Sequence, residues 1–389
     1  MRILLVSSKY PPDYSGSGLR AHNTYKRLKN KYELDFDVVS NSINHRYNKT
    51  YFYEDQKILR IALPFIIPKK KSFLRNILII LSFFWEIYFS WKFIRTKIKK
   101  YDLLHTFGNT WTIGFMTWYF SRNNKPIVRE LCNEMNNPFY PIQLKKIFIK
   151  IFSKKNTMMV AISKKLKKTT NGYKINVWTR PNPIQTQFQT DYKNKLIYRK
   201  KNSKFSKKDI VLLCVASFLE GKNQIFLIQI LKKLPKKYKL ILVGPVKEEG
   251  AIYFNQIISE IKKFKLENRV EIINKFMNQI DKYYKLSDVF LFPSLTEGLG
   301  TPILESQACG IPVVTNHLKD VVEDIIILGK GGFYLDLKVK NWIKKIKDAT
   351  KISKKTLKGN SDYLNSLCSH EVIDRNYMNK FNKLILKSD

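Results

Sequence analysis

The chain of 389 residues predicts an α/β protein with two doubly wound domains, each a parallel sheet wrapped by helices. Three observations carry that expectation. Short apolar runs bounded by turn residues alternate with helix-length segments along nearly the whole sequence, which is the rhythm of a parallel sheet. The length exceeds what one hydrophobic core ordinarily serves, so two domains are the default. Asn182-Pro183 and the polar, lysine-rich stretch 185–208 break the rhythm midway and read as an interdomain linker. The expected division is 1–190, 191–365, and a closing helix within 366–389 that packs back on the first domain. Ligands are expected in a central cleft at the carboxyl ends of the strands.

In order, the first strand is expected at 3–7, where Ile-Leu-Leu-Val is too short an apolar run for a signal peptide. A helix at 18–29 and strands at 34–39 and 58–62 follow. A long helix is expected over 74–100, leading into a strand at 103–106. Next come a helix at 111–119, a strand at 127–131, a helix at 143–152, a strand at 158–161 and a helix opening at Ser163. Beyond the linker, apolar runs predict strands at 210–217, 240–243, 270–273, 289–292 and 311–315, with helices at 223–234, 252–264 and 280–286. A strand at 332–335 and helices at 338–350 and 370–387 finish the chain.

Composition sets bounds. A hydrophobic share of 44% is ample for folded cores, while 71 basic against 31 acidic residues leave a formal charge of +40. Nucleic acid, an anionic membrane face and acidic ligands all suit such a charge. Lysine dominates the excess and asparagine and isoleucine are also abundant, so charge alone does not define a function. Cys132, Cys214, Cys309 and Cys368 are scattered, with no metal-type spacing, which favours reduced thiols in a cytoplasmic protein.

The most informative segment is 292–315, Phe-Pro-Ser-Leu-Thr-Glu-Gly-Leu-Gly-Thr-Pro-Ile-Leu-Glu-Ser-Gln-Ala-Cys-Gly-Ile-Pro-Val-Val-Thr. An apolar strand closes on Pro293, a glycine-containing loop follows, and Thr301-Pro302 reads as an N-cap hydroxyl before a proline at the first helical position. The helix is expected to run to Cys309 and stop at Gly310. Its free N–H groups and partial positive charge make an anion site, which Gly298 and Gly300 let a phosphate approach. Glu305, one turn in, can accept two hydrogen bonds from a ribose diol, and Glu297 can reach another hydroxylated group. Two carboxylates around an anion cradle fit a sugar diphosphate better than a bare phosphate.

This string resembles the Glu-x7-Glu signature of retaining GT-B glycosyltransferases, specifically the large family 4 type that uses nucleotide-diphospho-sugars. The resemblance covers nearly the whole chain, most strongly at 288–316. It implies a GT-B fold and a hexosyltransferase-type, metal-independent enzyme. No cofactor is implied besides the donor sugar nucleotide, and the acceptor would be a glycan or lipid-linked hydroxyl in cell-surface polysaccharide or glycolipid synthesis. Catalytic Glu297, His105 and Lys222 are implied, with donor-binding Gly16, Gly18, Ser217, Lys222, Gly298, Leu299, Gly300, Thr301 and Glu305, and no metal site. Glu305 would bind ribose, Glu297 would orient the sugar and His105, before Gly108, would support its hydroxyls. Lys222 matches the family lysine that neutralises the departing diphosphate, whereas Ser217 stands where the family commonly has arginine. The loop carrying Gly16-Ser-Gly18 is one residue looser than the usual Gly-Gly pair. Ser163 and the segment Arg180-Pro-Asn-Pro also resemble family landmarks, Glu130 and Glu134 are candidates to line an acceptor pocket, and 274–278 is the loop that would read the base.

The stretch 77–94 is nearly continuous apolar sequence interrupted by Glu86 and Lys92, and is flanked by Lys69, Lys70, Lys71, Arg75, Arg95, Lys97, Lys99 and Lys100. With two internal charges it falls short of the roughly 20 largely uncharged residues of a spanning helix. Ile77, Leu81, Phe84, Tyr88, Trp91 and Ile98 form a helical stripe that suits an anionic membrane surface, peripheral on the inner face; a helix packed on the sheet is the other reading. A nucleic-acid-binding protein lacks motif support, since no RNA-binding motif, zinc spacing or helix-turn-helix accompanies the charge. A nucleotide-sugar epimerase or hydrolase of the same shape is the alternative within enzymes.

Overall fold

The computed structural model describes all residues except 14, 43, 44, 69, 132–138, 140–143, 247, 278 and 389. Lys69, Cys132, Glu134, Gln143 and Asn278, named above, lie outside the described residues. The chain forms two compact units, Met1–Arg180 with Asp374–Asp389, and Pro181–Ile373. The first boundary thus falls at Arg180 rather than 190, because the Arg180 guanidinium is held at Glu130 inside the first unit. The return falls at Asp374 rather than 366.

The first unit runs β1 (Arg2–Ser7), α1 (Gly16–Tyr32), β2 (Asp35–Ser42), β3 (Lys49–Tyr53), β4 (Gln56–Ala62), α2 (Phe73–Ile94), β5 (Leu103–Phe107), α3 (Trp111–Arg122), β6 (Ile127–Leu131), α4 (Lys145–Phe152), β7 (Thr157–Ala161), α5 (Lys164–Lys168) and β8 (Val177–Thr179). Its sheet order is β3-β4-β2-β1-β5-β6-β7-β8, parallel throughout except for the β3–β4 hairpin at one edge. The central strands are buried on both faces, which is why they read as unbroken apolar runs. The long helix expected over 74–100 ends at Ile94. Past it the chain tightens, Lys97 N–H donating to Ile94 O and Lys100 N–H to Lys97 O, and Ile98 turns inward to be buried.

The second unit runs α6 (Lys195–Asn202), β9 (Ile210–Val215), α7 (Gln224–Lys233), β10 (Tyr238–Val243), α8 (Ala251–Lys263), β11 (Val270–Ile273), α9 (Asp281–Leu286), β12 (Val289–Phe292), α10 (Thr301–Ala308), β13 (Val313–Asn316), β14 (Gly332–Leu335), α11 (Val339–Ala349) and α12 (Lys354–Cys368). Its sheet is all parallel, in the order β11-β10-β9-β12-β13-β14. The final helix, α13 (His370–Ile385), begins at the end of this unit, and its body belongs to the first. There the Arg27 guanidinium clasps the Asp374 carboxylate at 2.7 and 2.9 Å.

The lysine-rich stretch 185–208 is not a free linker, because α6 lies within it. Buried Arg199 donates to Leu286 O at 2.7 Å and Asp209 O at 2.9 Å and pairs with Asp288 at 2.9 Å, while Lys195 reaches the same carboxylate at 2.6 Å. One aspartate, the carbonyl that ends α9 and the carbonyl just before β9 hold a helix whose sequence reads as solvated.

Candidate active site

In each sheet the chain winds outward from one strand and then returns to that strand's other side. In the second unit β9 lies between β10 and β12, so the loops leaving β9 and β12 start from adjacent carboxyl ends with nothing crossing between them. Such a switch point is where open α/β sheets bind ligands. The loop after β9 ends in a 3₁₀ turn, Glu220–Lys222, and Asn223 in the left-handed region then starts α7. The loop after β12 carries Glu297 to Gly300. Leu295 N–H donates to Gly221 O at 2.9 Å, which ties the two loops together, and Lys222 Nζ lies 2.5 Å from Glu297 Oε1. Both side chains keep some exposed surface, 26% for the lysine and 15% for the carboxylate.

α10 starts differently from expectation. The N-cap is Gly300, at φ 75°, and no side chain caps the helix, so Thr301 takes the first helical position expected of Pro302 and the proline sits second. The Thr301 hydroxyl is already engaged, accepting from Asn182 Nδ2 at 2.8 Å. Left-handed backbone at Gly300 turns the chain sharply into the helix, and glycine is favoured there by φ, since a Cβ would only press the mobile end of Ile303, 3.0 Å away. Backbone N–H groups of residues 298–301 have no acceptor among the described residues. They form a row of unpaired donors at a helix start. Gly310, at φ 72°, follows the helix as its stop signal.

Glu305 is half-buried on α10, and Tyr284 of α9 donates to its Oε2 at 2.9 Å. Burial pushes its carboxyl up to about 7, against the lowering effect of the tyrosine hydrogen bond. The folded protein therefore keeps this proton between about pH 4.5 and 7, where the unfolded chain has released it, so folding stability falls as pH rises through that window and is flat above it. The full penalty is about 3 kcal/mol at most. Glu305→Gln, which keeps an acceptor for Tyr284, is expected to raise the melting temperature at pH 8 by roughly 2–5 °C and to change it little near pH 4.5, by calorimetry without ligand.

Ser217 lies in the loop after β9, where its carbonyl accepts from Gln224 Nε2 at 3.0 Å. Tyr284 escaped sequence reasoning, and Asn182 entered it only within Arg180-Pro-Asn-Pro, without its bond to Thr301. Each is distant in sequence from the group it holds, and only the fold joins them.

The remaining predicted residues belong to the first unit. Gly16 opens α1 with open space around it, whereas Gly18 packs so close that a Cβ would lie 2.3 Å from Lys9 O, and its N–H is taken by Ser15 Oγ at 2.9 Å. His105 is the third of five residues in β5 rather than a strand-end group. Its side chain has no exposed surface, and its Nδ1 lies 2.9 Å from Tyr25 Oη. A direct sugar ligand needs an open face, and His105 has none. Its Nε2 is 3.3 Å from Glu130 Oε1, out of line for a straight hydrogen bond, and burial lowers its pKa so that the ring stays neutral. Glu130 is likewise fully buried, paired with Arg180 at 3.3 Å and accepting from Tyr377 at 2.5 Å, so it is an interior group rather than a pocket lining. Ser163 caps α5, accepting from Leu166 N–H. Among the described residues no three His, Cys, Asp or Glu side chains gather as a metal site.

The fold is the GT-B type, and residues 197–359 match the family Glycosyl transferases group 1. That segment contains both loops of the switch point. The chain is 28% identical over 150 residues to the capsular polysaccharide biosynthesis glycosyltransferase CapH of Staphylococcus aureus, covering 38% of this chain and 41% of that one. It is 32% identical over 135 residues to the N-acetylgalactosamine-N,N'-diacetylbacillosaminyl-diphospho-undecaprenol 4-alpha-N-acetylgalactosaminyltransferase of Campylobacter jejuni, covering 34% of each. The matches thus span well under half the length of these relatives. Among solved structures, sucrose-phosphate synthase of Thermosynechococcus elongatus superposes with a TM-score of 0.76 at 16% identity, over 99% of both chains. HepE of Anabaena, in complex with UDP and glucose, gives 0.71 at 15% identity, over 98% of this chain and 99% of that one.

Proposed function

We propose that the chain is a retaining, metal-independent glycosyltransferase of the family 4, hexosyltransferase type. It moves a sugar from a nucleotide-diphospho-sugar to a hydroxyl of a glycan or lipid-linked acceptor on the cytoplasmic side. The observation that carries this reading is the Lys222–Glu297 pair, 2.5 Å apart at the switch point of the second sheet, beside the unpaired N–H groups at the start of α10. The capsular and lipid-linked glycan activities named for the relatives support a polysaccharide role, and the UDP and glucose bound to HepE support a nucleotide-sugar donor.

The donor diphosphate lies against the N–H groups of Gly298, Leu299, Gly300 and Thr301, which point their partial charges at it without reorganising. Lys222 has three N–H donors, so it keeps Glu297 while giving one to the phosphate whose charge grows as the sugar departs. That division of labour replaces a divalent ion. Glu297, held by the lysine, presents its second oxygen to a sugar hydroxyl. Glu305 accepts from the ribose diol, its orientation fixed by Tyr284. The bond from the anomeric carbon to the phosphate oxygen breaks, the acceptor oxygen attacks from the same face, and its proton passes to the departing phosphate. Ser217, in place of the family's arginine, contributes no cation and leaves Lys222 to neutralise the diphosphate.

A thermal-shift screen of UDP-, GDP- and ADP-sugars tests the reading. One nucleotide class is expected to raise the melting temperature, and Glu305→Ala to abolish that rise. No response to any donor, or an equal response in the variant, overturns the site; free sugar released without acceptor-dependent transfer would make the protein a hydrolase instead.

A further inference from the structure

α2 has two unlike faces. Its inner side is fixed to the first unit: Trp85 Nε1 donates to Ala62 O at 3.0 Å, Ser90 and Ile94 are fully buried, and Phe83 meets Trp111 edge-on at 5.0 Å. Glu86, the one acidic residue in 69–100, points inward as well. Its Oε2 accepts from Thr112 N–H at 2.9 Å, Thr112 Oγ1 at 3.0 Å and Asn41 Nδ2 at 3.2 Å. The outer side is apolar and open along Ile77, Ile80, Leu81, Phe84, Tyr88 and Trp91, with Phe84 63% exposed. Spacings of three and four residues set these on one stripe.

Cations frame the stripe at both ends. Lys70 and Lys71 precede the helix, and Lys92, Arg95, Lys99 and Lys100 stand exposed beyond its middle. The Arg95 guanidinium lies over the Trp91 ring, 4.4 Å from its centroid, a pairing suited to the headgroup level of a bilayer. No acidic side chain of this segment faces outward to repel a negative surface. A helix whose inner side is bonded to α3 and β4 cannot be surrounded by lipid, so it lies along a membrane rather than through it.

We propose that the outer face of α2 docks on an anionic lipid bilayer, with Ile77 to Trp91 in the acyl boundary and the flanking lysines and arginine at the headgroups. Neutral apolar surface alone would suit a second copy equally. The cationic frame around it, on a chain of net charge +40, repels another copy and attracts anionic lipid. This inference is independent of the donor site.

Flotation of the full chain with phosphatidylcholine vesicles, with and without roughly 30% phosphatidylglycerol, tests it at about 0.1 M and about 0.5 M salt. Binding is expected on the anionic vesicles, falling ~tenfold or more on the neutral ones and weakening with salt. Leu81→Asp with Phe84→Asp, both at exposed positions, is expected to lower binding ~tenfold or more without changing the melting temperature. Lys92→Gln with Arg95→Gln is expected to reduce it ~fivefold per charge and to flatten its salt dependence. Acyl-brominated lipid is expected to quench the wild type, and Trp91→Phe to remove most of that quenching. Absence of vesicle binding, binding unaltered by the Leu81 and Phe84 pair, or a stable dimer that the pair dissociates would each overturn the proposal.

Discussion

Lys222→Ala is expected to lower kcat for sugar transfer by ~10²–10³, with KM for the donor changed only severalfold. The fall corresponds to about 3–4 kcal/mol of charge stabilisation lost at the departing diphosphate. Two features of the site make the effect large. Ser217 contributes no cation after β9, so no paired arginine stands in for the lysine there. Glu297 would also lose the ammonium that fixes its carboxylate, 2.5 Å away, so leaving group and sugar would be misplaced together. Because both side chains retain exposed surface, the fold is expected to hold, with a melting temperature within a few degrees of the wild type. Steady-state kinetics beside calorimetry separates the outcomes. A kcat within threefold of the wild type would remove Lys222 from the leaving-group role, while a collapse of both activity and melting temperature would make it a structural residue.

Arg180→Met is expected to cost the first unit about 3–5 kcal/mol, because it leaves the fully buried Glu130 carboxylate without its main counter-charge. Burial alone would raise the Glu130 pKa. The charge of the Arg180 guanidinium, with that of Arg20, outweighs burial and holds it down at about 2. Its stabilising effect is thus present above pH 4.5 and lost as pH falls towards 2. Adding Glu130→Gln to Arg180→Met removes the stranded charge and is expected to recover half or more of the loss. Urea titrations of the single and double variants measure that coupling. Additive losses would show that Arg180 acts through packing on Tyr377 and not through charge.

Val289–Phe292 was legible because a strand buried on both faces demands an unbroken apolar run, and Ile127–Leu131, Val270–Ile273 and Gly332–Leu335 also fall where expected, although charged residues interrupt the first two and the last two are sheet edges. β3 carries the alternation of an exposed edge hairpin, and β8 is only three residues long, so neither stood out. α12 is polar and contains Gly359, and its buried face rests on bonds such as Ser361 Oγ to Ala308 O, at 2.6 Å, that no local pattern announces. Within the candidate site the local chemistry was readable: carboxylates, glycines and a proline on a strand–loop–helix string. Thr301 was misread as a cap because Gly300 reaches a conformation closed to threonine and the hydroxyl has a partner 119 positions away. The partnership of Lys222 with Glu297 spans 75 residues and depends on β9 lying next to β12, a neighbourhood set by the whole sheet.

The position of α13 has a consequence for synthesis. Asp374, Tyr377 and Phe381 fill the first unit, with Tyr377 and Phe381 packed against His105, yet they are made after every residue of the second. On the ribosome the unit that begins first is completed last, and the Arg180–Glu130 pair waits for Tyr377 through nearly two hundred residues of translation. The opening 180 residues made alone would leave a hole in their own core, whereas the unit carrying the candidate donor site is contiguous.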